Sequence, residues 1–337
     1  MKISTAGDIG DLVYLLNIVR QIPDAPHTLI LRPSGSTKAK TRALVEVMFR
    51  FLEPLVNAQP YISDFVIGTD STEADWASEG FRRRFFTPGE TLMQAHLNHL
   101  VETKGIGKGF TSHEPWLYGV KPDSRSNGRV VVNLTGRYRN PHFDWRQVVS
   151  HYGGRILFVG LPIEHEGFCK AYGHVDHCPT NDLLEVARLI AGSELFMGNQ
   201  SCAYACAEGL KHRSIQETSL ELPDCVYGRP NATYCGTGEC LLPDIAGSGE
   251  HRMKFTPTNI NPGNVPPGGW KYPFFPSQLH IKAQVNVVSR AYPDMPREEV
   301  EKAILRHNAD LNPEFFSETS LDTAGSRYRL AMQSAGF

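Results

Sequence analysis

"TAGDIGDLVYLLNIVRQI", Thr5 to Ile22, follows the short apolar start Met1-Lys2-Ile3 and places two glycines and two aspartates in one turn. Leu12, Leu15, Leu16 and Val19 then recur at helical spacing, so the stretch reads as strand, tight turn and helix. In that arrangement glycine lets the backbone turn and a ligand approach, while the helix start favours negative charge. The spacing Gly7-x-x-Gly10 is not the dinucleotide fingerprint, which needs a third glycine and an acid about 20 residues on. Carboxylates at Asp8 and Asp11 would repel a pyrophosphate placed on this turn. Two readings stay open for them: a helix cap with a first-turn acid, or a general base at a cleft.

Outward from that turn, short β-rich runs alternate with stretches of helical period, the pattern of βα units around parallel sheets. Strands are expected at Lys2 to Thr5, Thr28 to Leu31 and Phe65 to Ile67, then at Val130 to Leu134, Ile156 to Val159 and Leu195 to Met197. A chain of 337 residues exceeds what one core usually serves. The turn-rich stretch Val120 to Arg129 is read as the linker, which gives an α/β protein with domains at 1–122 and 123–295 and a helical segment at 296–337. Residues 234–276 crowd glycine and proline and are expected to form a long irregular excursion. A helix is expected again at Arg297 to His307.

The second half supplies the better anion site. "SELFMGNQSCAYACAEGL", Ser193 to Leu210, runs from a strand through Gly198-Asn199-Gln200-Ser201 into a helix of small residues. The backbone N–H groups of Ser201, Cys202 and Ala203 would face an anion there, and Cys202 at a helix start is expected to have a lowered pKa. Cations are expected from "NLTGRYRNPHFDW", Asn133 to Trp145, where Arg137 and Arg139 lie just past a strand end and suit bidentate phosphate contacts. "LFVGLPIEHEGF", Leu157 to Phe168, offers Gly160 at the turn and the carboxylates of Glu164 and Glu166 as ribose acceptors. Each segment has a plain alternative, since helix-start acids and loop arginines are common.

Taken in order, these segments resemble the heptosyltransferase-like inverting glycosyltransferases, family nine, which have the GT-B fold of two facing Rossmann-like domains with parallel sheets. "GDIGDL" looks like that family's N-terminal signature, in which the second aspartate takes the proton of the acceptor hydroxyl; here that is Asp11. "TGRYRNPHFDW" is similar to its basic diphosphate segment, with Arg137 and Arg139 where lysine is usual. "VGLPIEHEGF" is similar to its nucleoside segment, with Glu164 as ribose partner and Glu166 in reserve. "FMGNQSCAYACAEGL" resembles its diphosphate loop, with Asn199-Gln200 where an aspartate-threonine type of pair is common. The resemblance implies a nucleotide-diphosphate sugar as donor, a single inverting displacement and no cofactor. No D-x-D pair stands in a suitable place, so metal-independent transfer is expected.

The acceptor is expected to be an anionic glycan or lipid-linked molecule, with Asp8, Gly10, Lys38, Lys40 and Arg42 near the cleft. "RPSGSTKAKTR", Arg32 to Arg42, and "FRRRFF", Phe81 to Phe86, keep a DNA-modifying transferase as the alternative; a sugar-nucleotide epimerase or binding protein of the same fold is the alternative from another class. A net charge of −2 and pI near 6.7 argue against wholesale polyanion binding. Seven cysteines without framework spacing, no secretory signal and no apolar run of membrane length lead to an expected cytoplasmic place with free thiols. Peripheral contact with the inner membrane face stays open. Sequons at Asn133 and Asn231 would then go unused. Cys169, His174, His177 and Cys178 cluster with a spacing that matches no standard zinc pattern.

Overall fold

The computed structural model describes residues 1–6, 8–33, 42–69, 72–83, 90–140, 142–219, 224–236, 238–245, 247–255, 296 and 298–299. The first half carries β1 (Lys2–Thr5), α1 (Ile9–Val19), β2 (His27–Leu31), α2 (Arg42–Asn57), β3 (Ile62–Ile67), β4 (Trp76–Ala77) and α3 (Leu92–Lys104). Its sheet is parallel throughout in the order β3-β2-β1-β4. The second half carries β5 (Val130–Asn133), α4 (Trp145–Tyr152), β6 (Ile156–Phe158), α5 (Pro162–Tyr172), β7 (Asp176–His177), α6 (Leu183–Gly192), β8 (Leu195–Asn199), α7 (Cys202–Gly209), β9 (Ser214–Glu217) and β10 (Ala232–Cys235). These strands form a second, wholly parallel sheet in the order β10-β9-β8-β5-β6-β7. The α/β class and the two parallel sheets are as expected from the alternation of runs. The turn-rich linker holds a single 3₁₀ turn at Ser124–Ser126, begun by Asp123.

The halves share a core. Every residue of α1 from Asp11 to Val19 is buried, which a helix resting on one sheet alone would not achieve. One apolar cluster explains it, running from Ile3, Leu15 and Leu29 of the first half to Leu189, Phe196 and Ala203 of the second. Trp116 joins them further: its indole donates to the Val13 carbonyl at 2.9 Å, and its backbone N–H donates to the Gly209 carbonyl at 2.9 Å. A second cluster lies on the far face of the second sheet, among Val132, Trp145, Phe158 and Met197. β5 is buried along its whole length, as the central strand of a sheet covered on both faces must be.

Part of the expected irregular excursion is ordered. β10 extends the second sheet, and β11 (Gly238–Leu242) pairs antiparallel with β12 (His251–Phe255). Cys235 and Cys240 are joined by a disulfide across the short connection between β10 and β11, which corrects the expectation of free thiols at those two positions; Cys225 remains a buried free thiol. Within the excursion residues 237, 246 and 256–276, and all of Arg297 to His307 but 298–299, lie outside the described residues. Among the described residues no helix is long and apolar enough to cross a membrane.

The sheet leaves no room at Gly198, where a Cβ would stand 2.6 Å from the Asn133 carbonyl oxygen of the neighbouring strand. Gly198→Ala is expected to lower unfolding free energy by about 2 to 3 kcal/mol in a urea titration. Gly167→Ala, on α5 with open space around the site, is expected to raise it by about 0.5 to 1 kcal/mol.

Candidate active site

The carboxyl end of β1 delivers the chain to α1, and Asp8 is the helix cap in an extended conformation. The Asp11 carboxylate accepts the backbone N–H of Asp8 at 3.0 Å, so the capping reading holds for Asp11, while the Asp8 side chain makes no cap bond. The Asp11 bond also fixes the carboxylate of a residue only 7% exposed, which is what a positioned base requires. A Cβ on Gly10 would stand 3.8 Å from the backbone N and Cα of Cys202. The first turns of α1 and α7 therefore touch, and two helix N-termini, each carrying partial positive charge, face one spot.

On the α7 side, Ser201 is the cap: its hydroxyl accepts the Tyr204 N–H at 3.3 Å and donates to Asn133 Oδ1 at 2.8 Å. Asn133 in turn donates to the Val159 carbonyl at 2.8 Å. The N–H groups of Cys202 and Ala203, which no helix can pair internally, face the Cys202 thiol. Asn199 is fully buried and acts on the neighbouring loop. Its Nδ2 donates to the Thr135 carbonyl at 3.1 Å and to the Arg137 carbonyl, while its Oδ1 accepts the Thr135 N–H at 3.1 Å. An aspartate there could not donate to those carbonyls, which gives the departure at Asn199 a physical reason.

The two arginines part company. Arg137 crosses to the other half and pairs with Asp8 at 3.3 Å. Arg139 turns away and pairs with the buried Glu217 at 2.9 Å, donating also to the Tyr172 hydroxyl at 3.0 Å. Glu217 further accepts the Trp145 indole N–H at 2.6 Å, and burial pushes its carboxyl above the usual range against the pull of Arg139. Arg139 is thus held by a buried carboxylate. Between the arginines, Tyr138 adopts φ 51°, a conformation a bulky residue takes only where its surroundings impose it.

Gln200 donates to Asp224 Oδ1 at 2.8 Å, and its own Oε1 is buried with no partner among the described residues. At the end of β6, Gly160 sits at φ 151°, and a Cβ there would meet Glu164 Oε2 at 2.9 Å. Glu164 accepts the Leu161 N–H at 3.0 Å, repeating on α5 what Asp11 does on α1. Leu161 and Ile163 beside it are 62% and 74% exposed, an apolar edge the motif reading did not single out. Glu166 is exposed on the same helix.

Lys38 and Lys40 lie outside the described residues, and Arg42 opens α2 without a described side chain. Arg32 is spent on Glu79 at 3.7 Å and on the Thr72 carbonyl. Of "FRRRFF", Phe81 is buried core and the arginine side chains lie outside the described set. Among the described residues no three His, Cys, Asp or Glu side chains form a metal-holding group; His165 and His177 instead stack at 4.6 Å, and His177 Nε2 donates to the Gly160 carbonyl at 3.0 Å.

No family model matches the chain, and no curated protein sequence matches it. Solved structures similar to it include E. coli heptosyltransferase WaaC with ADP-2-deoxy-2-fluoro heptose, at 12% identity over 70% of this chain and 92% of that one, TM-score 0.49. E. coli ADP-heptose lps heptosyltransferase II matches at 13% identity over 74% and 92%, TM-score 0.37. The glycosyl transferase family 9 protein from Veillonella parvula matches at 10% over 64% and 79%, TM-score 0.41.

Cys202 departs from expectation. Burial pushes its thiol up to about 11, outweighing the pull of the two helix-start N–H groups. It should be inert: at pH 8 roughly one thiol in a thousand would be ionised, against about a quarter for an ordinary cysteine. Alkylation of the folded protein at pH 8, followed by peptide mass spectrometry, is expected to label Cys202 at least about 100-fold more slowly than a free thiol.

Proposed function

We propose that this chain is an inverting glycosyltransferase that moves a sugar from a nucleotide-diphosphate sugar to an acceptor hydroxyl without a metal. The observation that carries the reading is the contact between the first turns of α1 and α7 at Gly10 and Cys202. It sets a fixed carboxylate, Asp11, beside a helix start whose N–H groups suit a phosphate. The acceptor would be a hydroxyl-bearing glycan or lipid-linked molecule entering from the first half.

In this reading Asp11 takes the acceptor proton as the new glycosidic oxygen–carbon bond forms at the anomeric carbon and the bond to the diphosphate breaks on the opposite face. One displacement inverts the centre. The negative charge gathering on the leaving diphosphate is met by the N–H groups of Cys202 and Ala203, the dipoles of two helices and the Arg137 guanidinium. Asn199 and Ser201 position those groups rather than touch the donor, and Glu164 offers its carboxylate to a ribose diol. Leu161 and Ile163 give a nucleobase an apolar edge.

Thermal stabilisation by a panel of nucleoside diphosphates, followed by turnover of the best nucleotide sugar, tests the proposal. Asp11→Asn is expected to keep nucleotide binding and to lose turnover by about 100- to 10,000-fold. Arg137→Ala is expected to weaken nucleotide binding about tenfold, with EDTA leaving the wild-type rate unchanged. Donor alone should yield no epimer; epimer formation would turn the reading to a sugar-nucleotide epimerase. No stabilisation by any nucleotide would sink it.

A further inference from the structure

The cation best placed for the diphosphate already has an anion. Arg137 Nη1 lies 3.3 Å from Asp8 Oδ2, across 129 positions of sequence and from one half of the protein to the other. Three features make this pairing more than a chance surface contact. The Arg137 carbonyl is held by Asn199, so the residue starts from a fixed backbone. Its guanidinium also lies 5.2 Å from the centre of the Tyr138 ring, whose backbone is in the left-handed region. Asp8 is the N-cap residue of α1, its backbone N–H held by Asp11 at 3.0 Å, so its side chain starts from a fixed backbone where the starts of α1 and α7 meet. A negative group at that position lies where two helix dipoles and a guanidinium all favour an anion.

Resting on the donor-site reading above, we propose that Asp8 is a resident competitor for the donor diphosphate: its carboxylate occupies Arg137 in the free protein, and donor binding exchanges it for phosphate. The pair is suited to exchange. Its side chains are 48% and 30% exposed, and an ion pair so open to water is worth no more than about fivefold in an equilibrium constant. It holds Arg137 across the junction of the two halves yet yields to a more highly charged ligand. Asp8 thereby sets the affinity of the site: it keeps the arginine oriented and makes the diphosphate compete for it.

The test is calorimetric titration of ADP, UDP, GDP and inorganic pyrophosphate into wild type, Asp8→Asn, Asp8→Ser, Arg137→Ala and the Asp8→Asn/Arg137→Ala double variant. Asparagine and serine both cap helices well, so the fold should persist, and thermal melting verifies it. The best-binding diphosphate is expected to bind about two- to fivefold more tightly to both Asp8 variants. Most of that gain should vanish in the double variant relative to Arg137→Ala. Equal or weaker binding by Asp8→Asn and Asp8→Ser, with wild type binding normally, overturns the competitor alone. So does a gain that survives intact without Arg137, since Asp8 would then act on the local potential only. If no diphosphate binds any of the five proteins, the donor-site reading falls and this inference with it.

Discussion

Helix α1 is buried on every side from Asp11 to Val19, and that single constraint organises the molecule. A helix of this kind must be covered all round. The first sheet covers part of it, and the remainder requires the second half. Helix α7 can come close because it is built of Ala203, Ala205 and Ala207, and because Gly10 presents bare backbone to Cys202. Hydrophobic burial therefore brings two helix starts together, although each on its own would be a generic feature of βα units. The electrostatic character of the site is a by-product of how the core is closed.

What sharpens that generic site is a set of buried amides. Asn199 and Asn133 each sit at the end of a strand and each spend their polar atoms on neighbouring backbone or on Ser201. Such bonds exchange little net free energy with water, but a buried amide left without them would cost about 1 to 3 kcal/mol. The network therefore admits few arrangements, and the loop bearing Arg137 inherits its rigidity. Gln200 shows the contrast: one of its two polar atoms finds Asp224 and the other is buried without a partner among the described residues.

The sheets and their first strands were legible because burial on both faces leaves a local trace. Runs such as Val130-Val131-Val132 admit one reading. β9 was not legible, since "SIQE" looks like a surface segment until Trp145 and Arg139, both far away in sequence, are seen to satisfy Glu217. The same remote carboxylate decides between Arg137 and Arg139, which sequence could not separate at a spacing of two. The Asp8 and Asp11 turn was readable as either cap or site because both depend on the same local chemistry. β10 to β12 and the Cys235–Cys240 bridge were hidden by glycine-rich composition and by a cysteine spacing that carries no signal of its own.

Capping and function are commonly treated as rival explanations of a helix-start residue, yet at α7 they divide the N–H groups between them. Ser201 takes the N–H of Tyr204 and leaves those of Cys202 and Ala203 to a thiol. Sulfur is a weak acceptor, so a phosphate oxygen reaching these groups displaces little. The upward shift of that thiol matters for the same reason. An ionised Cys202 would stand as a fixed negative charge where the proposed donor diphosphate would be received, whereas a neutral one holds the place with almost no electrostatic opposition. The desolvation that keeps the Cys202 thiol neutral is therefore what leaves the helix start favourable to an anion. On this view the negative groups a donor would contend with at the junction, among the described residues, are Glu164, whose charge acts on Cys202, and the carboxylates of Asp8 and Asp11, the one held by Arg137 and the other by the Asp8 N–H.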